Sequence, residues 1–324
     1  MTGVAFIGTG MWAPRLAAAA VRAGLRPVTC FSRDEQRRRE FAERFSCEPA
    51  AGFEEAIEHP SVEGVILATS NDVHAEQALA CAERRRHVFV EKPIADTVEA
   101  AERMRSASES AGITLMVGHS FRRLGAARRA KELVDDGALG RVVLAEANFS
   151  LPGKLGPNAW RYYRERNPGG PLMQLGIHHA DTLAHLLGPV RRSVGSFAHV
   201  HTPAEIDDVG VMTLQFASGA LGAVTGSYVS PKTFDIRLFG SDAVLEHRTE
   251  MSIWPEAGRM DEATTLTLSG EQVEFAERDM LAEQMAEFGR CIRGEAEPET
   301  GAEEGIAALR CVLDAVASGA GVAA

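Results

Sequence analysis

Lys92 and His178 are the residues of this 324-residue chain whose types and settings point most directly to chemistry. Lys92 lies in His87-Val88-Phe89-Val90-Glu91-Lys92-Pro93, a run of strand formers that Pro93 stops while holding the local backbone extended. At the carboxyl end of a parallel strand, such a lysine is aimed into the crevice where doubly wound sheets take ligands. Partly desolvated, it can polarise a carbonyl or shuttle a proton; the bland alternative is a solvated lysine at a strand end. His178 lies in Gly169-Gly170-Pro171-Leu172-Met173-Gln174-Leu175-Gly176-Ile177-His178-His179-Ala180-Asp181. The double glycine lets the backbone turn sharply and pass close to a ligand. His178, Asp181 and His185 follow at steps of three and four residues and therefore share one helix face. An imidazole beside a carboxylate makes a general acid/base pair, but the trio could instead form a satisfied polar cluster or a metal site. Spacing alone leaves the three readings open.

A second group of residues has the pattern of a nucleotide site. Gly8-Thr9-Gly10-Met11-Trp12-Ala13 is G-x-G-x-x-A, directly after an apolar run and opening a helical pattern. Gly8 serves the tight turn, Gly10 lets backbone approach a pyrophosphate, and the small Ala13 lets helix and strand pack closely. Some 20 residues on, an NAD site places Asp or Glu against the ribose 2′-hydroxyl. Here the second strand ends Cys30-Phe31-Ser32-Arg33, with Arg37 a helical turn further. Hydroxyl plus guanidinium suits a 2′-phosphate, which predicts NADP over NAD. The competing reading makes Asp34 the ribose acid and Arg33 a solvated residue at a helix start.

The elements that must position these groups alternate in the first 120 residues. Strands are predicted at 4–7, 27–31, 62–68, 87–90 and 113–117, with helices between them. Continuous apolar strands in repeated βα units indicate an α/β fold with a doubly wound parallel sheet, a Rossmann domain over 1–120. From 121 the pattern changes. A helix at 126–136, a strand at 141–150 and a Gly/Pro/Asn-rich loop at 151–171 precede a helix at 177–187. Mostly alternating strands follow over 191–268, and helices at 279–292 and 303–317 end the chain. This predicts a second α/β domain over 121–324, with a large, mostly antiparallel open sheet.

Composition narrows the partners. Hydrophobic residues make up 45% and charged residues 24%, ordinary for a globular protein. A net charge of −11, with no basic run longer than three, argues against nucleic acid. Neither a membrane span nor a leader peptide is expected. The five cysteines are scattered, with no CxxC pair, so no metal site is assigned and a reducing cytoplasm is expected.

Taken in order, Gly8-Thr9-Gly10, Thr69-Ser70-Asn71-Asp72-Val73-His74, Glu91-Lys92-Pro93, Trp160-Arg161 and Gly169-Gly170…His178…Asp181 resemble the glucose–fructose oxidoreductase/inositol dehydrogenase (Gfo/Idh/MocA) family. The resemblance covers nearly the whole chain, including the stretch from Asp207-Asp208 to Phe216 and Gly219. It implies hydride transfer between C4 of a nicotinamide and a carbinol carbon of a sugar, cyclitol or related polyol. The family's lysine falls on Lys92 and its histidine on His178. Thr69, Ser70, Asn71, His74, Glu91 and Lys92 fall on the cofactor side, with Met11 and Trp12 in the glycine turn. Ser32, Arg33, Arg37, Trp160 and Arg161 match NADP-using members such as the anhydrofructose reductases. The open sheet implies a homodimer or homotetramer.

One departure is Gln174, where many members carry aspartate. An amide can hydrogen-bond a substrate hydroxyl but takes no proton. Proton transfer then falls to His178, with Lys92 assisting and Asp181 orienting the imidazole. Two alternatives remain: a glycosidase or lyase using bound nucleotide for transient redox, and a non-catalytic nucleotide-binding protein. Substrate choice is expected from residues such as Arg122, Arg123, Trp160, Tyr162, Tyr163 and Arg164.

Overall fold

The computed structural model describes residues 1–153, 155–157 and 159–319; the remainder of the expected second domain, 320–324, lies outside them, as do Lys154 and Asn158 of its loop. The chain divides into two compact units, Met1–His119 with Met280–Ile306, and Ser120–Asp279 with Ala307 onward.

The first unit runs β1 (Gly3–Ile7), α1 (Ala13–Arg22), β2 (Arg26–Phe31), α2 (Glu35–Phe45), β3 (Glu48–Pro49), α3 (Phe53–Glu58), β4 (Gly64–Leu67), α4 (His74–Glu83), β5 (His87–Val90), α5 (Val98–Ala111) and β6 (Leu115–Val117). Its sheet is parallel, in the order β3-β2-β1-β4-β5-β6. The order reverses at β1, so ligand crevices open at the carboxyl ends of β1 and β4. β1 and β4 are buried along their whole length, as their unbroken apolar sequence requires. The pair β3 and α3 was not expected. Two residues of strand and six of helix are too short to leave a periodic signal.

The second unit contains α6 (Gly125–Asp135), β7 (Val142–Ser150), α7 (Ile177–Leu187), β8 (Val190–Ala198), β9 (Val209–Phe216), β10 (Leu221–Ser227), β11 (Thr233–Gly240), β12 (Val244–Thr249), β13 (Thr264–Leu268) and β14 (Glu271–Gln272). The eight strands order as β14-β13-β12-β11-β7-β10-β9-β8, antiparallel except for the β7–β10 pair. Along β9 burial alternates strictly, so one face packs inward through Met212, Leu214 and Phe216. The opposite face shows Leu144, Val211 and Leu221 to solvent. Short 3-10 turns with Pro255 (Met251–Ala263) interrupt the expected run of strands, and Asp261 in them caps α6 through the Gly125 amide.

Two further helices close the chain, α8 (Met280–Ile292) and α9 (Ala302–Gly319). The expected second domain took in everything after 120, yet α8 groups with the first unit. A Cβ on Gly64 of β4 would lie 2.6 Å from Ile292 and 3.0 Å from Phe288, and Phe288 packs on Phe89 of β5 at 5.9 Å. Beyond α8, Thr300 bonds both backbone groups of Val117 in β6, each at 2.7 Å. α8 therefore covers one face of the parallel sheet, as such sheets require. Among the described residues no helix is long and apolar enough to cross a membrane.

Candidate active site

The glycine turn is built for close approach. Gly8 has φ +87°, and a Cβ there would meet the Ala68 carbonyl oxygen at 2.5 Å. Its amide donates to Phe31 O at 2.8 Å, pinning the turn to the end of β2. A Cβ on Gly10 would meet nothing within 4 Å, so open space lies beside the backbone where a pyrophosphate is expected. Trp12 is the N-cap of α1, which carries proline in its first turn, and Met11 is exposed. Thr9 Oγ1 and Asn71 Oδ1 are buried without hydrogen-bond partners, consistent with groups that a bound molecule would satisfy. These residues fit a dinucleotide.

At the end of β2, Asp34 caps α2: its carboxylate accepts from the Arg37 amide at 3.1 Å and pairs with Arg37 Nε at 3.2 Å. Arg37 is thus held by Asp34, and the carboxylate offered as a ribose acid is engaged locally. Ser32 Oγ donates to Asp34 O at 3.2 Å, and Arg33 is exposed.

Beyond β4 the Thr69 hydroxyl donates to Gln77 at 2.7 Å, and Ser70 opens a short 3-10 turn, Asn71–Val73. His74 is buried, and its Nδ1 donates to the Pro93 carbonyl at 3.0 Å. Burial lowers its pKa to about 4, so at neutral pH the ring is uncharged. His74 therefore fixes the backbone after Lys92, which is half-buried at the end of β5 and followed by a cis peptide to Pro93. Glu91 accepts from Trp12 Nε1 at 2.9 Å. Burial raises the pKa of its carboxyl to about 7, against the opposing pull of Lys92 and Trp12. Gly8, Trp12, Asn71, His74, Glu91 and Lys92 thus belong to one unit.

In the second unit, Gly169 (φ +73°) and Gly170 (φ +49°) do supply the sharp turn, but the close approach is to the chain itself. A Cβ on Gly170 would lie 2.0 Å from Asp207 O, and one on Gly169 would lie 2.7 Å from Val316. A π-helical turn, Leu172–Gly176, then leads into α7. Gln174 in that turn donates to Asn167 Oδ1 at 3.1 Å and accepts from Arg161 Nε at 3.4 Å. The Arg161 guanidinium lies 4.5 Å over the Trp160 ring, and burial lowers its pKa. Tyr228 joins this cluster, its phenol pushed up to about 12 by burial. Asn167 and Tyr228 were not expected; a lone amide before a double glycine and a tyrosine after a strand carry no periodic signal.

His178 is buried against Phe121, edge-on at 4.4 Å, and near Phe149 at 6.0 Å. Asp181 was expected to orient His178. Both of its oxygens instead accept from Arg122, Nε to Oδ2 at 3.0 Å and Nη2 to Oδ1. Arg122 and Arg123, expected among substrate-reading loop residues, are buried at 6% and 0% exposure. Sequence spacing found the helix face but missed a partner 59 residues away. Among the described residues no group of three or more His, Cys, Asp or Glu side chains could hold a metal.

A glycine turn with open space beside its backbone, feeding a helix at the reversal point of a parallel sheet, defines a nucleotide-binding Rossmann unit. Residues 2–119 match the family described as Oxidoreductase family, NAD-binding Rossmann fold, and residues 127–246 match the GFO/IDH/MocA C-terminal domain. The chain belongs to the Gfo/Idh/MocA family, an NAD(P)-binding family of sugar and cyclitol oxidoreductases, and is itself an NAD(P)-dependent dehydrogenase or reductase acting on CH–OH groups. It is 27% identical over 273 residues to 1,5-anhydro-D-fructose reductase of Ensifer adhaerens, covering 82% of this chain and 80% of the relative. It is also 27% identical to D-xylose 1-dehydrogenase [NADP(+)] of Haloarcula marismortui, covering 95% of this chain and 88% of the relative. A solved candidate NADPH-dependent oxidoreductase from Desulfitobacterium hafniense is 36% identical, with a TM-score of 0.93 over 98% of this chain and 95% of that one.

Proposed function

We propose that this protein is an NADP-dependent oxidoreductase acting on a carbinol or carbonyl carbon of a sugar, cyclitol or related polyol. The observation that carries the cofactor assignment is at the end of β2, where Asp34 is engaged as a helix cap while Arg33 remains exposed. An exposed guanidinium beside a hydroxyl suits a 2′-phosphate, whereas a ribose 2′-hydroxyl asks for a carboxylate. The Gly8–Trp12 turn, Thr69, Ser70, Asn71, His74 and Glu91 would hold the nucleotide, and Trp160 and Arg161 are assigned to it by family resemblance.

Bound NADP supplies a hydride acceptor, or as NADPH a donor. In this reading Lys92 donates a hydrogen bond to the reacting oxygen and steadies charge as it develops there. His178 takes the hydroxyl proton on oxidation and returns it on reduction, and Phe121 and Phe149 keep its imidazole dry. Gln174 orients a substrate hydroxyl through its amide without moving a proton. Asp181 works through Arg122, holding the inner face of α7 rather than the imidazole. We assign a second copy of the chain to the exposed sheet face bearing Leu144, Val211 and Leu221, giving a homodimer or homotetramer. A cytoplasmic setting agrees with five free cysteines.

The test is a titration with NADPH and with NADH, followed by energy transfer from tryptophan to the reduced nicotinamide. Tighter NADPH binding, followed by nicotinamide absorbance changes with aldoses, ketoses or cyclitols, is the expected result. Preference for NADH overturns the cofactor assignment. Turnover needing only catalytic NADP replaces net oxidoreduction by a transient-redox glycosidase or lyase, and binding with no turnover supports a non-catalytic protein.

A further inference from the structure

Arg161 has no carboxylate partner among the described residues. Its Nε donates to Gln174 Oε1 at 3.4 Å, and its guanidinium lies over the Trp160 ring. The aspartates of the neighbouring segments are engaged elsewhere. Asp207, whose carbonyl backs Gly170, pairs with Arg164 at 2.6 Å. Asp208, whose carbonyl accepts from the Tyr228 amide, takes the amides of Val200, His201 and Thr202 at 2.8–2.9 Å. Asp181 is held by Arg122. The titratable group that does act on Arg161 is the Tyr228 phenol, which burial pushes up to about 12 and so keeps neutral. In a chain of net charge −11, a half-buried cation is thus held with no side-chain anion to offset its desolvation.

The groups around that cation are hydrogen-bond donors. Gln174 turns its oxygen to Arg161 and its amide nitrogen to Asn167 Oδ1 at 3.1 Å. Asn167 has no exposure, and its Nδ2 is left without a hydrogen-bond partner. Tyr228 lies beside both Arg161 and Asn167, with its hydroxyl 3.5 Å from the Gly170 carbonyl. Donors flanking an unpaired cation suit a ligand group that only accepts, and an ionised carboxylate is such a group. One guanidinium among neutral neighbours matches the single charge and planar oxygen pair of a carboxylate better than a dianionic phosphate.

We propose that Arg161, with Asn167 and Tyr228, is an anion-recognising subsite of the second unit, and that the substrate is a sugar or polyol bearing a carboxylate, of the aldonic or uronic acid class. The proposal rests on the oxidoreductase reading above and narrows its substrate. The Nη atoms of Arg161 take the carboxylate, while Gln174, four residues before His178, holds a neighbouring hydroxyl. Those two nitrogens carry four N–H groups, enough to serve the nucleotide assigned by resemblance as well.

The experiment compares D-glucuronate, D-galacturonate and D-gluconate with D-glucose, D-galactose and D-glucitol. Binding to the full-length NADP-loaded protein is read by calorimetry, and kcat/KM by nicotinamide absorbance. At least one acid is expected to exceed its neutral counterpart by roughly 10–100-fold, the worth of a charge-assisted pair. Arg161→Gln is expected to bring acid and neutral compound to within about threefold of each other, and Arg161→Lys to keep part of the difference. A guanidinium serving only the nucleotide or the fold would lower acid and neutral compound alike, and that result overturns the proposal. So does a wild type for which no acid binds better than its neutral counterpart. Turnover of neutral sugars without any advantage for the acids removes the carboxylate and leaves the oxidoreductase reading standing. Preferential binding of an acid, lost in Arg161→Gln but never accompanied by a nicotinamide absorbance change, upholds the anion subsite and removes the oxidoreductase reading.

Discussion

The indole Nε1–H of Trp12 donates to Oε1 of Glu91 at 2.9 Å, tying the glycine turn after β1 to the residue preceding Lys92. Because Glu91 is buried, the bond also offsets part of the cost of placing a carboxyl there. Replacing Trp12 by Phe keeps the ring and removes the donor. NADPH binding is expected to weaken about threefold to tenfold, the worth of one hydrogen bond. Fluorescence of the bound reduced nicotinamide measures this without relying on Trp12.

Lys92→Met and His178→Ala each remove a group assigned to the reacting oxygen. Turnover is expected to fall by roughly 10²–10⁴ in each, the range for general acid–base groups. NADPH affinity should change by less than about threefold, since neither variant touches the glycine turn. Steady-state kinetics beside a binding titration separates the two effects, and unchanged turnover in both variants refutes the assignment.

Arg33→Ala should weaken NADPH far more than NADH. Loss of a charge-assisted contact to phosphate is worth about 2 kcal/mol, or some thirtyfold. Equal losses for both nucleotides would return the choice to Asp34 despite its place as the cap of α2.

Breaking the Arg122–Asp181 pair tests what holds α7. Arg122→Met leaves a buried carboxylate uncompensated and should cost about 3–5 kcal/mol of stability. Adding Asp181→Leu removes that carboxylate, and most of the loss should be recovered. Denaturant unfolding of the single and double variants measures both.

Acid should unfold the protein through its interior. Burial lowers His74 and His179 to about 4 and His247 to about 3, from an ordinary 6.5. Each group's contribution is present above pH 6.5, where neither state binds the proton. It is lost as pH falls toward the folded value, because the unfolded chain protonates first; the maximum is on the order of 3–5 kcal/mol each. Glu91 acts oppositely: with its pKa raised from 4.5 to about 7, its contribution is full below pH 4.5 and lost as pH rises to about 7. Thermal unfolding between pH 7 and pH 4 should therefore show a falling midpoint, and His247→Phe should flatten the slope.

The parallel sheet and the glycine turn were readable because strand formers at 4–7 and 87–90 are unbroken and glycine has few substitutes at positive φ. What escaped is long-range. The bond from Arg122 to Asp181, the contact between Asn167 and Gln174, and the seat of α8 depend on side chains that local spacing does not bring together. His74 was singled out from its sequence motif, but its bond to the Pro93 carbonyl, made 19 residues away, was not legible.

The return of Met280–Ile306 to the first unit sets the order in which the molecule can be completed. During synthesis, β4 and β5 emerge from the ribosome some 200 residues before Phe288 and Ile292 exist to cover them. At typical elongation rates the nascent nucleotide half waits for about 10–40 s with an apolar sheet face bare. That interval is a natural opening for a chaperone, and it predicts that residues 1–119 expressed by themselves will aggregate until a peptide bearing α8 is supplied.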